Sequence, residues 1–277
     1  MNKTVAGNFA NIKAALLFIP LGLAILILLF LYQHHALNAN DYVQVQQDAF
    51  FFINAHLSKF PVIMNNLTQL GDELIFLSFL TIFLLTAPLL WEAMISASLV
   101  SLIISNTLKN FFAIPRPAAI LDHHQFVIIG RTLSGHNSLP SGHSITVFTL
   151  LTVIAYAFLS NKKRYHLLWA MLLIMIGLLI VFTRVGVGAH YPLDVIVGSI
   201  AGFASGLTGI LIAGKYPVWR WLYQPKSYPL LMILLLVCLI VIANKIIHDN
   251  LLVYYFAAAS IAYSLYKIAY VYFKKDL

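Results

Sequence analysis

Apolar residues run without interruption through much of the chain, at about 14–32, 74–90, 93–112, 143–160, 167–183, 193–214, 229–247 and 251–273. Continuous apolarity, rather than a polar residue at every second position, predicts helices and not barrel strands. Crossing a bilayer takes ~20 apolar residues, and several segments are only 17–18 long, near the lower limit. Most connections are short, including a tight turn expected near Trp91-Glu92. Two polar stretches are long. In the first, 33–73, the part from Tyr42 to Phe60 mixes Phe50, Phe51, Phe52, Ile53, Leu57 and Phe60 with Gln, Asp and His. That mixture fits either an amphipathic helix lying on the membrane surface or a helix packed over the bundle as a lid. The second, 113–142, is rich in Pro, Gly and His, and a loop of that length in a compact membrane protein is often functional. There is no internal repeat and no low-complexity tract.

Composition agrees with this pattern: 61% of the 277 residues are hydrophobic and 9% charged. Soluble domains carry about a quarter charged residues. The expected fold is therefore an all-α polytopic transmembrane bundle of about eight spans. The net charge of +8 does not point to nucleic acid, because the basic residues sit singly or in short clusters between apolar runs. The only cysteine, Cys238, lies within the apolar run Leu230–Ala243 and cannot pair inside the chain, so it says nothing about redox compartment. Lys3 and Lys13 precede an apolar run from Ala14 to Leu31, longer than the ~7–15 residues of a signal peptide. Ala36-Leu37-Asn38 matches a cleavage site poorly, so a retained first span is expected.

The basic residues also suggest an orientation. With the N-terminus inside, the inner segments hold Lys3, Lys13, Lys162, Lys163, Arg164, Lys215, Arg220, Lys226, Lys274 and Lys275. The outer side holds Lys59, Lys109, Arg116, Arg131, Arg184 and Lys245. Ten against six favours cytoplasmic termini under the positive-inside rule.

Three clusters that could carry chemistry then fall on the outer side. At the end of the third segment, Lys109 and Arg116, the latter between Pro115 and Pro117, are either snorkelling anchors or a pair of cations aimed at an anion. In Pro140-Ser141-Gly142-His143, Ser141 is a good N-cap and Gly142 permits close approach to a ligand. A helix N-terminus suits a phosphate, and His143 adds a group that titrates near neutrality. In Thr183-Arg184-Val-Gly-Val-Gly-Ala-His190-Tyr-Pro-Leu-Asp194, Pro192 suits the first helical position and puts Asp194 near the third. From there its carboxylate can reach back as in a capping box and hold the His190 ring in one tautomer; the plainer alternative is a helix cap and nothing more. Asp122-His123-His124 is too compact a run to supply a full metal ligand set, while Arg131 and His136 are either headgroup contacts or solvated loop residues.

Taken in order, Lys-x6-Arg-Pro, Pro-Ser-Gly-His and Arg-x5-His-x3-Asp resemble the three-part signature of the type-2 phosphatidic acid phosphatase superfamily, which also includes vanadium haloperoxidases and bacterial acid phosphatases. The resemblance covers residues 109–194 in motif detail, and Thr183 stands where the family usually has Ser. It implies a six-span phosphatase core over 1–214, with 215–277 contributing an inner basic loop and two additional C-terminal helices. It further implies His190 as nucleophile carrying a phosphohistidine, Asp194 orienting it, and His143 as acid and then base. Lys109, Arg116, Ser141, Gly142 and Arg184 would surround the phosphate, with no metal and no other cofactor. The expected partner is a lipid phosphate at the periplasmic face of a bacterial inner membrane: undecaprenyl diphosphate, phosphatidylglycerol phosphate or phosphatidic acid, with the lipid A 1-phosphate as an alternative. Phosphoryl transfer to a second lipid would use the same residues. A transporter is disfavoured because ionisable residues cluster at span ends rather than at the midplane, and a haloperoxidase because those relatives are soluble.

Overall fold

The structure, a computed structural model, describes residues 1–160 and 162–274. All regular structure among them is helical. The helices are α1 (Asn2–Ala10), α2 (Phe18–Gln33), α3 (Ala39–Gln44), α4 (Gln47–Leu57), α5 (Pro61–Thr68), α6 (Glu73–Leu80) and α7 (Pro88–Phe112). They continue with α8 (Pro117–Ile120), α9 (Gly142–Ala157), α10 (His166–Gly186), α11 (Pro192–Lys215), α12 (Tyr228–Asp249) and α13 (Leu252–Lys274). Lys275, counted above among the inner basic residues, lies outside the described residues.

Six helical stretches are long and apolar enough to cross a membrane: Ala14–Gln33, Pro88–Ile120, Lys163–Gly186, Pro192–Lys215, Pro225–Asp249 and Leu252–Lys274. The protein is a multi-pass membrane protein. The other two expected segments form shorter apolar helices, Glu73–Phe83 and Gly142–Ala157. At 1.5 Å per residue, the 16 residues of α9 extend about 24 Å, less than a ~30 Å hydrocarbon core. The chain leading into α9 is enclosed instead by protein, with Ser138, Leu139 and Ser141 all buried, the condition under which irregular backbone is tolerated at depth.

One turn is displaced from its expected position. Trp91 and Glu92 are not a connection; both are buried inside α7, which begins at Pro88. The chain reverses just before, with Ala87 as the N-cap. A proline's missing N–H and fixed φ suit a first helical turn, so the break falls ahead of Pro88 rather than at the polar residue.

Helix α11 is the centre of the bundle, 56% buried against 6% for the first span. Its glycines explain why. Gly198, Gly202 and Gly206 recur every fourth residue and face α9, where a Cβ on Gly198 would sit 2.7 Å from the Ser141 carbonyl and one on Gly206 2.8 Å from that of Thr149. Small residues at this spacing let two helix backbones touch without side chains between them. On another face, Gly209 lies against Ala97 of α7. The result is that α9 and α11 start side by side, and the Ser141 N–H donates to the Asp194 carbonyl at 3.0 Å.

Two further pieces close the bundle. At the end opposite the site, α1 buries Val5 and Phe9, and Asn8 Nδ2 donates to the carbonyls of Ala157 and Leu159 at the end of α9. At the other side, α13 packs on α6, with Ile261 and Ile75 both in the core, and the Ser264 hydroxyl donates to Thr81 Oγ1 at 2.9 Å.

Candidate active site

The three motifs converge at one end of the bundle. Two residues past the end of α10, Gly188 lies in the left-handed region at φ +75°, which glycine adopts without penalty. The reversed chain lets the N–H groups of Ala189 and His190 donate back to the Arg184 carbonyl at 3.0 and 3.2 Å. His190 is thereby placed immediately before α11. Pro192 occupies the first turn of α11, and Asp194 completes a capping box in which its Oδ2 accepts from the Tyr191 N–H at 2.9 Å. The carboxylate also faces His190, whose Nδ1 lies 3.5 Å from Asp194 Oδ2. Asp194 is both cap and ring partner.

The tautomer of His190 follows from its other neighbour. Nε2 lies 3.3 Å from Arg116 Nη1, and a guanidinium can only donate. Nε2 is therefore the acceptor, and the ring proton sits on Nδ1, facing Asp194 Oδ2 and, at 3.4 Å, the Ser138 hydroxyl. Burial first, then the charges of Arg116, Arg184 and Lys109, hold His190 well below the ordinary imidazole pKa. The ring is neutral with an unprotonated nitrogen turned toward cations.

Those cations are themselves fixed. Arg116 begins the short α8, its Nε donating to Asn137 Oδ1 at 2.8 Å and its Nη1 to the Ala189 carbonyl at 3.3 Å. Its N–H donates to the Gly135 carbonyl and that of Ser138 to Ile114, so the loop 113–141 folds back on itself. Buried Arg184 donates from Nη1 to Thr68 Oγ1 at 2.9 Å, while its Nε has no partner among the described residues. Lys109, one turn before the end of α7, reaches the start of α9, where a Cβ on Gly142 would be 3.2 Å from its Nζ. Three cations against one buried carboxylate make a site suited to an anion, and an orphaned buried N–H on Arg184 is a donor such an anion would satisfy.

The remaining expected residues take distinct places. Ser141 is the N-cap of α9, its Oγ accepting from the Ser144 N–H at 3.4 Å and keeping its own proton free to donate. His143 follows on the first turn of α9, its ring against Gly71. Thr183 spends its hydroxyl on the Ile180 carbonyl of its own helix, so the change from Ser at this position does not touch the site. His123 bonds the Ala118 carbonyl through Nε2, and Asp122 accepts from the His124 N–H; the two side chains serve the loop rather than the site.

Several site residues carried no motif. Ser138 donates to Asp194 Oδ2 at 2.6 Å, and Tyr42 donates to Asp194 Oδ1 at 2.8 Å from α3, more than 150 residues away in the chain. Gln46 Oε1 accepts from the Leu193 N–H at 2.8 Å, at the mouth of α11. Asn54 donates to the carbonyls of Val127, Val185 and Gly186 and accepts from the Val127 N–H, tying α4 to both long connections. The segment Tyr42–Phe60 is thus a lid packed over the bundle, with Tyr42, Phe50 and Asn54 buried, and not a helix lying free on the surface. Its only advance signal was the cluster of aromatic residues at Phe50–Phe52, and that left both placements open.

With the three motifs gathered at one end of a bundle of membrane helices, comparison with known proteins finds a match to one family model: residues 89–217 match that of the PAP2 superfamily. The chain is 35% identical to the lipid A 1-phosphatase of Rhizobium etli over 132 residues, 46% of this chain and 52% of that protein. It is 32% identical to a putative undecaprenyl-diphosphatase of Escherichia coli (strain K12) over 114 residues, 41% of this chain and 52% of that one. The chain thus spans about half the length of the curated relatives it matches. The crystal structure of Aquifex aeolicus LpxE superposes with a TM-score of 0.50 at 25% identity, covering 60% of this chain and 95% of that one.

Proposed function

We propose that the protein is a lipid phosphatase that removes a phosphate from a lipid headgroup at the outer face of the membrane through a phosphohistidine. The observation that carries the proposal is the unprotonated Nε2 of His190, backed through Nδ1 by Asp194 and facing Arg116. In the first step Nε2 attacks phosphorus, the bond from phosphorus to the lipid oxygen breaks, and His143 gives that oxygen a proton. Arg116 Nη1 shifts its hydrogen bond from Nε2 to a phosphate oxygen as the nitrogen lone pair is used. Lys109, Arg184, the Ser141 hydroxyl and the Gly142 N–H take the other oxygens and stabilise the charge of the transition state. Asp194 accepts the Nδ1 proton bond throughout and offsets the positive charge that grows on the ring. In the second step water gives a proton to His143 and attacks phosphorus, the phosphorus–nitrogen bond breaks, and inorganic phosphate leaves. The route draws on side chains and backbone alone.

The word lipid is supported by the position of the site at helix ends, where a headgroup would lie while its tails stay in the bilayer, and by the names of the relatives. Two substrate readings follow from those names, a lipid A 1-phosphate and undecaprenyl diphosphate. Phosphate release by purified protein over a panel of both, together with phosphatidic acid and phosphatidylglycerol phosphate, tests the proposal with His190→Ala as control. Release no greater than that of the variant on every lipid would refute it; transfer of label to an acceptor lipid would favour phosphotransfer instead. The outer location is supported by the charge count. A cysteine in place of exposed His124, in a Cys238→Ser background, is expected to react with an impermeant reagent in intact cells. Reaction only after permeabilisation would reverse the orientation.

A further inference from the structure

We infer that the C-terminal helices α12 and α13 position His143, and that Lys245 and Asp72 are the pair through which they act. The inference takes the acid role of His143 from the proposed function, and both helices lie beyond the 89–217 stretch of the family match.

The connection runs through residues 66–72, the last turn of α5 and the turn that joins it to α6. On its far side, Lys245 Nζ near the end of α12 donates to Asp72 Oδ2 at 2.8 Å, and Val253 at the start of α13 donates its N–H to Asn66 Oδ1 at 3.2 Å. Tyr254 lies beneath Lys245, its ring centroid 5.5 Å from Nζ. On its near side the same turn meets the site twice. Gly71 is so close to His143 that an added Cβ would sit 2.6 Å from the histidine's Cβ and Cδ2, and Thr68 accepts from Arg184. Asp72 divides its oxygens: Oδ1 caps α6 through the Leu74 N–H, and Oδ2 takes Lys245. A shift of this turn therefore cannot occur without moving the surface on which the His143 ring rests. The two side chains are 29% and 28% exposed, and an ion pair that stays in contact with solvent adds only modestly to stability. Its removal is expected to loosen the turn while the fold persists.

Asp72→Asn and Lys245→Met separate the two effects, since Asn still caps α6. In each full-length variant, carbethoxylation of His143 by diethyl pyrocarbonate, read by mass spectrometry, is expected to rise severalfold. That of His190, whose ring is held by Asp194 and Arg116 rather than by this turn, stays at the wild-type rate. On a substrate the wild type hydrolyses, kcat falls roughly tenfold with KM within about twofold, as expected when a reacting group is misplaced without loss of binding. The double variant is no worse than either single one, because both remove the same contact. Unchanged labelling of His143, or an equal rise at His190, overturns the inference; raised labelling with unchanged kcat overturns its catalytic part. A wild type that hydrolyses no lipid counts against the phosphatase reading, while the labelling still decides the positioning.

Discussion

The core helices α9 and α11 and the lid formed by α3 to α5 reach the same site by different means. The core supplies its residues through local geometry: Asp194 and Ser141 are placed by the caps of the helices they begin, and His190 by the reversal at Gly188. The lid supplies single side chains from a distant part of the chain. Tyr42 and Thr68 each make one bond to a residue of the core motifs, and Asn54 makes several to the backbone around them. What the difference teaches is a division of labour. The core presents the groups that would touch phosphorus and its oxygens, while the lid sets the orientation and charge of those groups.

The comparison can be broken by substitution on either side. His190→Ala removes the proposed nucleophile and is expected to lower kcat by roughly 10⁴-fold or more, to the background of the assay. Asp194→Asn keeps the cap but loses the charge opposite Nδ1, and a loss on the order of 10³-fold is expected, with KM little changed. Lys109→Gln takes away one of three cations and should cost about 10²-fold in kcat. Tyr42→Phe, the lid's counterpart, deletes one hydrogen bond to Asp194 Oδ1; about 1 kcal/mol, a fall in kcat of about fivefold, is expected. If Tyr42→Phe proved as damaging as Asp194→Asn, the proposed division between lid and core would fail.

The smallest effect is a displacement in pH. Because burial and then Arg116, Arg184 and Lys109 hold His190 below the usual imidazole range, the folded protein takes that proton later than the unfolded chain does as pH falls. Stability from this group is complete above the unfolded value of about 6.5 and is lost as pH drops from there toward the folded pKa. The acid limb of kcat/KM is correspondingly expected below the ordinary imidazole value, and Lys109→Gln should move it upward by weakening the cationic field. An acid limb at or above the ordinary imidazole value, unmoved in Lys109→Gln, would show that His190 does not govern it.

Much of the molecule was legible before any coordinates. Helical spans follow from uninterrupted apolarity, since a backbone in hydrocarbon must satisfy its own hydrogen bonds. Lys109, Arg116, Ser141, Gly142, His143, Arg184, His190 and Asp194 could be picked out because, in order, their motifs resemble a known signature; capping and spacing alone left each cluster with a plainer alternative. Even the packing of α9 on α11 left a trace, in the four-residue recurrence of Gly198, Gly202 and Gly206. The break before Pro88 was misjudged because a polar Glu92 reads as a turn, whereas the proline's backbone decides where the helix starts.

What the sequence by itself determined, then, is the membrane bundle and the motif residues that the fold gathers at its one end, which are here proposed to meet a phosphate. Only the tertiary structure decided that Tyr42 and Ser138 hold Asp194, that Thr68 holds Arg184, and that α12 and α13 bear on the turn at Gly71. The physical reason is range. Capping and amphipathic spacing act over a few residues and leave a pattern, but a hydrogen bond between residues 152 positions apart needs only one tyrosine and one carboxylate, and nothing in the sequence around either announces the other.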